Sequence, residues 1–180
     1  MLPDPYAHET ELLAAAAAGE TTAARALLDD VGPVVYGFIY ARVGGDEQAA
    51  EDLTQETFIE AVRSAHTFRG DAALRTWCCA IARRRIARFY EAERKQAVAR
   101  AGLSVIDGAP EPDPVARRDE IVRALGRLSV VHRQVLVMKY LDDMTVEQIA
   151  GELGRSPVQV QSLLQRARAG LRKELEGTDE

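Results

Sequence analysis

The chain has 180 residues, of which 47% are hydrophobic and 6% aromatic, and its formal net charge is −5. That length fits one domain or two small ones, and the abundance of Ala, Leu and Val favours helices. The negative charge argues against a simple nucleic-acid coat protein. The run LLAAAAA near the N-terminus is too short to cross a bilayer. No basic leader precedes this run, so we expect no signal peptide.

The first half of the chain predicts a series of helices. Two short ones, ETELLAAAA and TAARALLDD, are separated by Gly19-Glu20, and Pro33 opens a third, PVVYGFIYARV. Asp46 can cap a fourth, EQAAEDLTQETFIEAVRSA. The stretch HTFRGDAALRT predicts a loop around Gly70, and a long helix, WCCAIARRRIARFYEAERK, follows it. No segment alternates with a period of two for long enough to predict a strand.

The second half predicts a linker and four more helices. Segment 102–114, GLSVIDGAPEPDP, holds three prolines, two glycines and no basic residue, which is typical of a linker. The helices that follow are VARRDEIVRALGRL, SVVHRQVLVMKYLDD, TVEQIAGEL and SPVQVQSLLQRARAGLRKEL. The predicted fold class is therefore all-α, with two small helical domains joined by a flexible linker. We place the domains at 1–97 and 116–176, the linker at 98–115 and a tail at 177–180.

The last two predicted helices have the spacing of a helix-turn-helix. Thr145 and Ser156 are each followed three residues later by Gln, which is the pattern of a capping box, and these two helix starts lie eleven residues apart. Pro157 suits a first helical position, and Gly154 can adopt the left-handed conformation of a tight turn. Helical spacing predicts four residues of the second helix to face the core: Val160, Leu164, Ala167 and Leu171.

The same spacing leaves a polar face exposed, made of Gln161, Ser162, Gln165, Arg166 and Arg168. Gln and Arg side chains can each make two hydrogen bonds to the edge of a base in the major groove, where a helix-turn-helix inserts the start of its second helix. Residues 153–173 carry five basic side chains and no acidic one, and Arg155 and Lys173 are suited to phosphates. An ordinary helical hairpin with a solvated face is the plain alternative. The two capping boxes, the tight turn and the basic balance favour DNA binding.

Charge is divided unevenly along the first half. Residues 1–62 carry two basic and twelve acidic side chains, whereas residues 63–100 carry ten basic and three acidic ones. Asp52, Gln55 and Glu56 lie at i, i+3 and i+4 and share a helix face, although charge alone favours a merely solvated acidic face. The arginine-rich loop and helix suit single-stranded nucleic acid, in which cations follow the backbone and aromatic rings hold bases. Trp77 by itself is more typical of a core anchor.

Two blocks of the sequence resemble a known family. AEDLTQETFIEAVRSAHTFRGDAALRTWCCAIAR resembles the promoter-opening domain of bacterial extracytoplasmic-function (ECF) sigma factors. ALGRLSVVHRQVLVMKYLDDMTVEQIAGELGRSPVQVQSLLQRARAGLRKEL resembles their second conserved domain, which carries the helix-turn-helix. The resemblance implies a cytoplasmic protein that binds the β′ and β subunits of core RNA polymerase and directs the enzyme to promoter DNA. It also implies an anti-sigma factor as a partner, no catalysis, and no metal or other cofactor.

The resemblance assigns roles to individual residues. The face expected to dock on a coiled coil of the β′ subunit is Asp52, Gln55 and Glu56. The loop and helix expected to recognise the −10 element as it becomes single-stranded contain Phe68, Arg69, Gly70, Asp71, Arg75, Arg84 and Arg88. The helix-turn-helix expected to read the duplex −35 element contributes Arg155, Ser156, Gln161, Ser162, Gln165, Arg166 and Arg168.

This sequence departs from the family pattern in both DNA-binding regions. Arg84 and Arg88 stand where the family commonly has Asn and Asp, so the family's preference at the −10 element does not carry over. Gln161 and Leu163 stand where basic residues are frequent in the recognition helix. Leu163 is suited either to contact a thymine methyl group or to pack inside the protein.

Two other classes of protein are weighed against a sigma factor. A conventional helix-turn-helix regulator binds duplex DNA alone and usually needs a dimer, yet the chain has no heptad repeat, and the acidic face would have no purpose there. An enzyme has little support, because His8, His66 and His132 are scattered and the sequence has no glycine-rich phosphate loop and no metal-ligand spacing. Cys78 and Cys79 are adjacent, cannot easily bridge each other, and are predicted to be structural residues of a reducing cytoplasm.

Overall fold

The computed structural model describes residues 6–99 and 116–176. Within those ranges the chain forms eight α-helices and one short 3-10 turn, Ala65–Thr67, and contains no strand. The all-α prediction is confirmed. The helices are α1 (Ala7–Ala17), α2 (Thr21–Arg42), α3 (Glu47–Arg63), α4 (Leu74–Ala99), α5 (Ala116–Arg127), α6 (Val130–Tyr140), α7 (Val146–Leu153) and α8 (Pro157–Glu176).

The predicted break before Pro33 is wrong, because α2 runs unbroken from Thr21 to Arg42 with Pro33 inside it. A proline in a helix interior removes one backbone hydrogen bond and costs about 3 kcal/mol. Burying one large aliphatic side chain contributes roughly 1.5–3 kcal/mol, so a buried stripe offsets that cost. The stripe lies at helical spacing and is at most 3% exposed: Leu27, Val31, Val35 and Ile39.

The chain divides into two compact units. The first consists of Met1–Ala41 with Glu47–Arg88, and the second of Arg42–Asp46 with Phe89–Glu180. Residues 100–115 of the predicted linker lie outside the described residues, as does the predicted tail at 177–180. The domain and linker boundaries therefore stay predictions.

The first unit is built around α1, α2, α3 and the beginning of α4. Its buried side chains include Leu13 of α1, Phe58 of α3 and Ile81 of α4. α1 packs against α3 and against the 3-10 turn. The loop that follows this turn ends at Ala73. Helix α4 therefore starts at Leu74, three residues earlier than predicted, and Arg75 lies in its first turn.

The second unit contains the four helices after residue 115. α8 packs against α5, α6 and α7. The buried cluster at their centre includes Val135 of α6, Ile149 of α7, and Val160 and Leu164 of α8. α8 buries only one side, and its other side is exposed.

Candidate functional site

The helix-turn-helix in the second unit has both predicted capping boxes. Gln148 N–H donates to Thr145 Oγ1 at 3.2 Å, and Thr145 N–H donates back to Gln148 Oε1 at 2.8 Å. Gln159 N–H donates to Ser156 Oγ at 3.3 Å, and Ser156 N–H donates to Gln159 Oε1 at 2.9 Å. These bonds satisfy backbone groups that a helix end leaves open, so they determine where α7 and α8 begin.

The turn between α7 and α8 depends on Gly154, which has a left-handed φ of 61°. Gly154 N–H donates to the carbonyl of Gly151 at 3.4 Å, and Arg155 N–H donates to the carbonyl of Ala150 at 2.9 Å. This pair of bonds is the Schellman ending of a helix, which a residue without a Cβ adopts most easily. The turn therefore directs the chain from α7 into α8 within a few residues.

A matched pair of glycine substitutions tests this turn. We expect Gly154→Ala to lower the free energy of unfolding by about 1–2 kcal/mol, because a Cβ is disfavoured in the left-handed region. Gly151→Ala, inside α7, is expected to raise it by roughly 0.5–1 kcal/mol, because Ala is the better helix former. An added Cβ meets no atom within 4 Å at either position, so backbone conformation alone separates the two. Urea denaturation measures the free energy of unfolding of both variants. Equal changes for the two substitutions would argue against the left-handed conformation of Gly154 as the cause.

The exposed face of α8 carries the residues predicted to contact DNA. Gln161, Ser162, Gln165 and Arg166 are all exposed, while their neighbours Val160, Leu164 and Ala167 are buried. Arg166 Nε lies 3.4 Å from the carbonyl oxygen of Ser162, and Arg166 Nη2 lies 3.4 Å from Ser162 Oγ. The guanidinium is thus held beside Ser162, one turn earlier on the same helix. Arg155 and Ser156 are exposed at the preceding turn.

Arg168 is also exposed, two turns after Gln161 on the same side of α8. Its guanidinium carbon is 6.0 Å from the centre of the Tyr140 ring, a distance suited to a cation–π contact. It lines a groove of about 550 Å³ between α5, α6 and α8, together with Ile121 and Leu171. Arg168 thus shares the exposed side of α8 with Gln161 and Gln165, and it also borders this groove.

Leu163 is 7% exposed and belongs to the buried cluster of the second unit. Of its two predicted roles, it therefore packs inside the protein rather than facing a thymine methyl group. We expect Leu163→Ala to lower the free energy of unfolding by about 2–5 kcal/mol, because it removes buried methyl groups and leaves a cavity. Val158, on the same helix, is 74% exposed, and Val158→Ala is expected to change stability by less than about 0.5 kcal/mol. Thermal denaturation of both variants is the measurement. A Leu163→Ala protein as stable as the parent would argue against burial.

The acidic face of α3 is arranged as its spacing predicted. Asp52, Gln55 and Glu56 are exposed, while Leu53, on the other side, is buried. Asp52 Oδ1 accepts a hydrogen bond from Gln48 Nε2 at 3.1 Å. Ile59 is exposed one turn after Gln55, so the face combines carboxylates with an apolar side chain.

Arg85 of α4 connects the acidic face to the arginine-rich helix. Its Nη1 atom lies 3.2 Å from Glu56 Oε2, and its Nη2 atom pairs with Glu60 Oε2. Glu56 is thus both a predicted polymerase contact and a partner of α4. Sequence reasoning missed this pair, since the two residues are 29 positions apart.

The loop predicted to meet the −10 element is anchored at its start. Phe68 is 6% exposed, and its ring centre lies 5.3 Å from that of the partly buried Trp77. Phe68 therefore holds the loop rather than presenting its ring to solvent. Gly70 is buried with a φ of 72°. The exposed predicted residues of this region are Arg69, Asp71, Arg75, Arg84 and Arg88.

Glu9 of α1 contacts the far end of this loop. Its Oε2 atom accepts a hydrogen bond from Leu74 N–H at 2.5 Å. Sequence reasoning found no motif in this part of the chain and missed the residue. The one sequence feature that could have indicated it is the absence of a capping side chain before α4, where Ala73 has no side-chain oxygen.

Cys78 is buried against this region, and burial raises the pKa of its thiol to about 12, with smaller contributions from Cys79 and Glu9. A thiol with that pKa stays protonated at neutral pH, which suits the predicted structural role. Among the described residues, no group of three potential metal ligands occurs, and no helix is long and apolar enough to cross a membrane.

Comparison with known proteins assigns the chain to a family. A model of sigma-70 region 2 matches residues 27–96, and a model of sigma-70 region 4 matches residues 118–171. The ECF RNA polymerase sigma factor SigL of Mycobacterium tuberculosis is 35% identical over 169 residues, covering 89% of this chain and 93% of SigL. The chain belongs to the ECF sigma factors. The resemblance drawn from the sequence is confirmed.

Two further comparisons concern a second relative and a solved structure. The ECF sigma factor BldN of Streptomyces coelicolor is 29% identical over 164 residues, which are 87% of this chain but only 62% of BldN. The structure of the sigma factor RpoE of Bartonella quintana, in complex with the anti-sigma factor NepR, aligns with a TM-score of 0.51. That alignment has 24% identity and covers 84% of this chain and 96% of RpoE, and it shows a shared fold.

The two matched regions divide the sigma factor's predicted site residues between them. Region 2 contains the acidic face, the loop after the 3-10 turn and the exposed arginines of α4, while region 4 contains the helix-turn-helix. Glu9 lies outside both, because the region 2 match begins at residue 27.

Proposed function

We propose that this sigma factor binds core RNA polymerase and directs it to specific promoters, where it takes part in opening the DNA. The observation that carries the proposal is the polar face of α8, in which Gln161, Ser162, Gln165 and Arg166 are exposed on a helix whose start is fixed by a capping box. In a family that guides polymerase to promoters, such a face suits the duplex of the −35 element, because Gln and Arg recognise base edges in the major groove.

The first unit supplies the other two contacts in this proposal. Asp52, Gln55 and Glu56 dock on the β′ subunit, and the exposed loop and α4 arginines receive the −10 element. Arg69, Arg75, Arg84 and Arg88 offer positive charge to a single strand, whose phosphates such cations attract. Phe68 then acts by holding the loop, and the −10 preference common in the family does not carry over to Arg84 and Arg88.

Strand opening in this scheme needs no catalysis by the sigma factor. Unstacking and flipping a base costs a few kcal/mol, and binding of the extruded base offsets that cost. A protein that binds the open DNA more tightly than the closed form shifts the equilibrium towards opening. We accordingly propose a cytoplasmic binding protein without cofactor, in which free energy comes from contacts with DNA and polymerase.

We also propose that an anti-sigma factor holds this protein inactive. The support is the structure of RpoE, a sigma factor of the same fold, in complex with the anti-sigma factor NepR. Affinity purification from the source organism, with the tagged protein under non-inducing conditions, is expected to recover one stoichiometric small protein besides polymerase. Recovery of polymerase subunits alone would contradict the proposal.

Run-off transcription tests the main proposal. Purified core polymerase is mixed with the protein and fragmented genomic DNA from the source organism, and the products are mapped. We expect discrete transcripts that require the protein and share upstream −35 and −10 sequences. Tight binding to duplex DNA without polymerase, in the absence of any transcript, would support the conventional helix-turn-helix regulator instead.

A further inference from the structure

Helix α4 begins without a capping side chain of its own. The carbonyl of Ala73 accepts the first helical hydrogen bonds, from Thr76 N–H at 2.9 Å and Trp77 N–H at 3.1 Å, which makes Ala73 the N-cap residue. Alanine is among the poor N-cap residues because its side chain has no oxygen to accept a backbone N–H. The N–H groups of the first turn also have no acceptor within the helix. The helix that follows the −10 loop therefore needs an acceptor from elsewhere.

Glu9 supplies that acceptor from a different helix. Its Oε2 atom accepts the Leu74 N–H at 2.5 Å, across 65 positions of sequence. A negative charge is favourable at this end of a helix, because the helix dipole places partial positive charge there. The bond is also sheltered, since Leu74 is 1% exposed and Glu9 is partly buried.

The helix that carries Glu9 is itself held in place. Leu13 and Ala16, one and two turns after Glu9, are buried in the first unit. α1 packs against α3 and against the 3-10 turn that leads into the loop. The carboxylate is thus presented from a packed helix rather than from a mobile segment.

The loop between the 3-10 turn and α4 is consequently held at both ends. Phe68 anchors its start by packing on Trp77, and Glu9 anchors its end at Leu74. Arg69 and Asp71 are exposed between these anchors, and Arg75 is exposed directly after the second one.

We propose that Glu9 is a positioning residue for −10 recognition: as a cap supplied by α1, it fixes the end of the 68–73 loop and the direction in which α4 leaves it. The inference rests on the proposed function, in which this loop receives the −10 element. It gives α1, which lies outside both matched regions, a part in reading DNA. Glu9 touches no DNA in this scheme and acts through Leu74.

The test uses holoenzyme, assembled from core polymerase and each full-length variant, and a fluorescent single-stranded oligonucleotide carrying the −10 element of a mapped promoter. We expect Glu9→Ala to weaken binding of this probe about fivefold, the order of effect of losing one helix cap. Glu9→Gln keeps an acceptor oxygen but loses the charge, so we expect it to weaken binding of the probe less than Glu9→Ala does. Affinity for core polymerase and for a duplex −35 probe is expected to stay unchanged.

Two further variants separate positioning from a general loss of structure. Glu11→Ala removes the same charge from an exposed position of the same helix and is expected to leave binding of the −10 probe unchanged. Ala73→Asp gives α4 an N-cap side chain of its own, and in the Glu9→Ala background it is expected to restore most of the lost affinity. A protein that had merely unfolded would not be rescued by a new cap at residue 73.

Hydrogen exchange of the free protein provides a readout that does not depend on DNA. Glu9→Ala is expected to speed amide exchange at Leu74 to Trp77 about fivefold, while α6 to α8 keep their protection. Faster exchange with unchanged binding of the −10 probe would overturn the positioning role, as would weaker binding that Ala73→Asp does not restore. If the parent protein itself fails to bind the −10 probe, the proposed function fails, and that failure is seen before any variant is compared.

Discussion

Reversing two charges on α3, Asp52→Arg together with Glu56→Arg, is expected to weaken binding to core RNA polymerase by about 100-fold or more. Both carboxylates are exposed on one helix face, so the change alters what a partner meets. Placing like charges opposite each other at an interface costs several kcal/mol, and each 1.4 kcal/mol is a tenfold change in affinity. Titration of labelled core polymerase measures the loss, and run-off transcripts are expected to disappear with it.

The matched control reverses two exposed acidic residues of the same unit, Asp29→Arg with Asp30→Arg. It changes the net charge of the protein by the same amount, so it separates a specific contact from long-range attraction. We expect affinity for polymerase to fall less than about threefold, because screened surface charges contribute little at physiological salt. Equal losses in the two double variants would argue against the α3 face as the docking site.

The pair between Glu56 and Arg85 does not prevent such docking. Glu56 is about half exposed, and ion pairs of this kind contribute only about 0–1 kcal/mol. A polymerase side chain can therefore replace Arg85 at small cost, since Arg85 keeps its second partner, Glu60. For the same reason, the reversal of Glu56 is expected to leave the fold intact, which circular dichroism of the free variant checks.

On α8, Gln165→Ala with Arg166→Ala is expected to weaken promoter binding by at least about 30-fold. Side chains that contact base edges typically contribute about 1–3 kcal/mol each, and their loss relaxes specificity at the bases they read. Both residues are exposed, and Arg166 is held beside Ser162, so truncation removes contacts without opening the core. Holoenzyme binding to a mapped promoter, compared with the same DNA carrying a scrambled −35 element, is the measurement.

Lys173→Ala is the informative comparison on the same helix. A contact with phosphate carries no sequence information, so this change is expected to weaken binding to both DNAs equally. It is also expected to reduce the slope of log K against log salt concentration by about one. The Gln165 and Arg166 changes are expected to weaken binding to the intact promoter more than binding to the scrambled one. Unchanged transcription from a mapped promoter with both changes present would exclude α8 as the reader of the −35 element.

Much of the helix-turn-helix and of the acidic face was predictable because the signals are local. Ser156 and Gln159 are three residues apart, and the bonds between them depend on little beyond the start of one helix. The exposure of Gln161 and Gln165 follows from helical periodicity once Val160 and Leu164 face the core. Asp52 and Glu56 share a face for the same reason, so these surfaces were determined by the sequence itself.

Tertiary structure decided the rest, because burial depends on which helices meet. Pro33 lies inside α2 because Val31 and Val35 on either side of it are buried, and helix propensity alone does not include the stabilisation from that burial. Phe68 was grouped with the DNA-binding residues but packs on Trp77, and Leu163 packs in the core. Glu9 reaches Leu74 across 65 positions. A hydrogen bond between residues that far apart leaves no periodic pattern in the chain and exists only once α1 and α4 are brought together by packing.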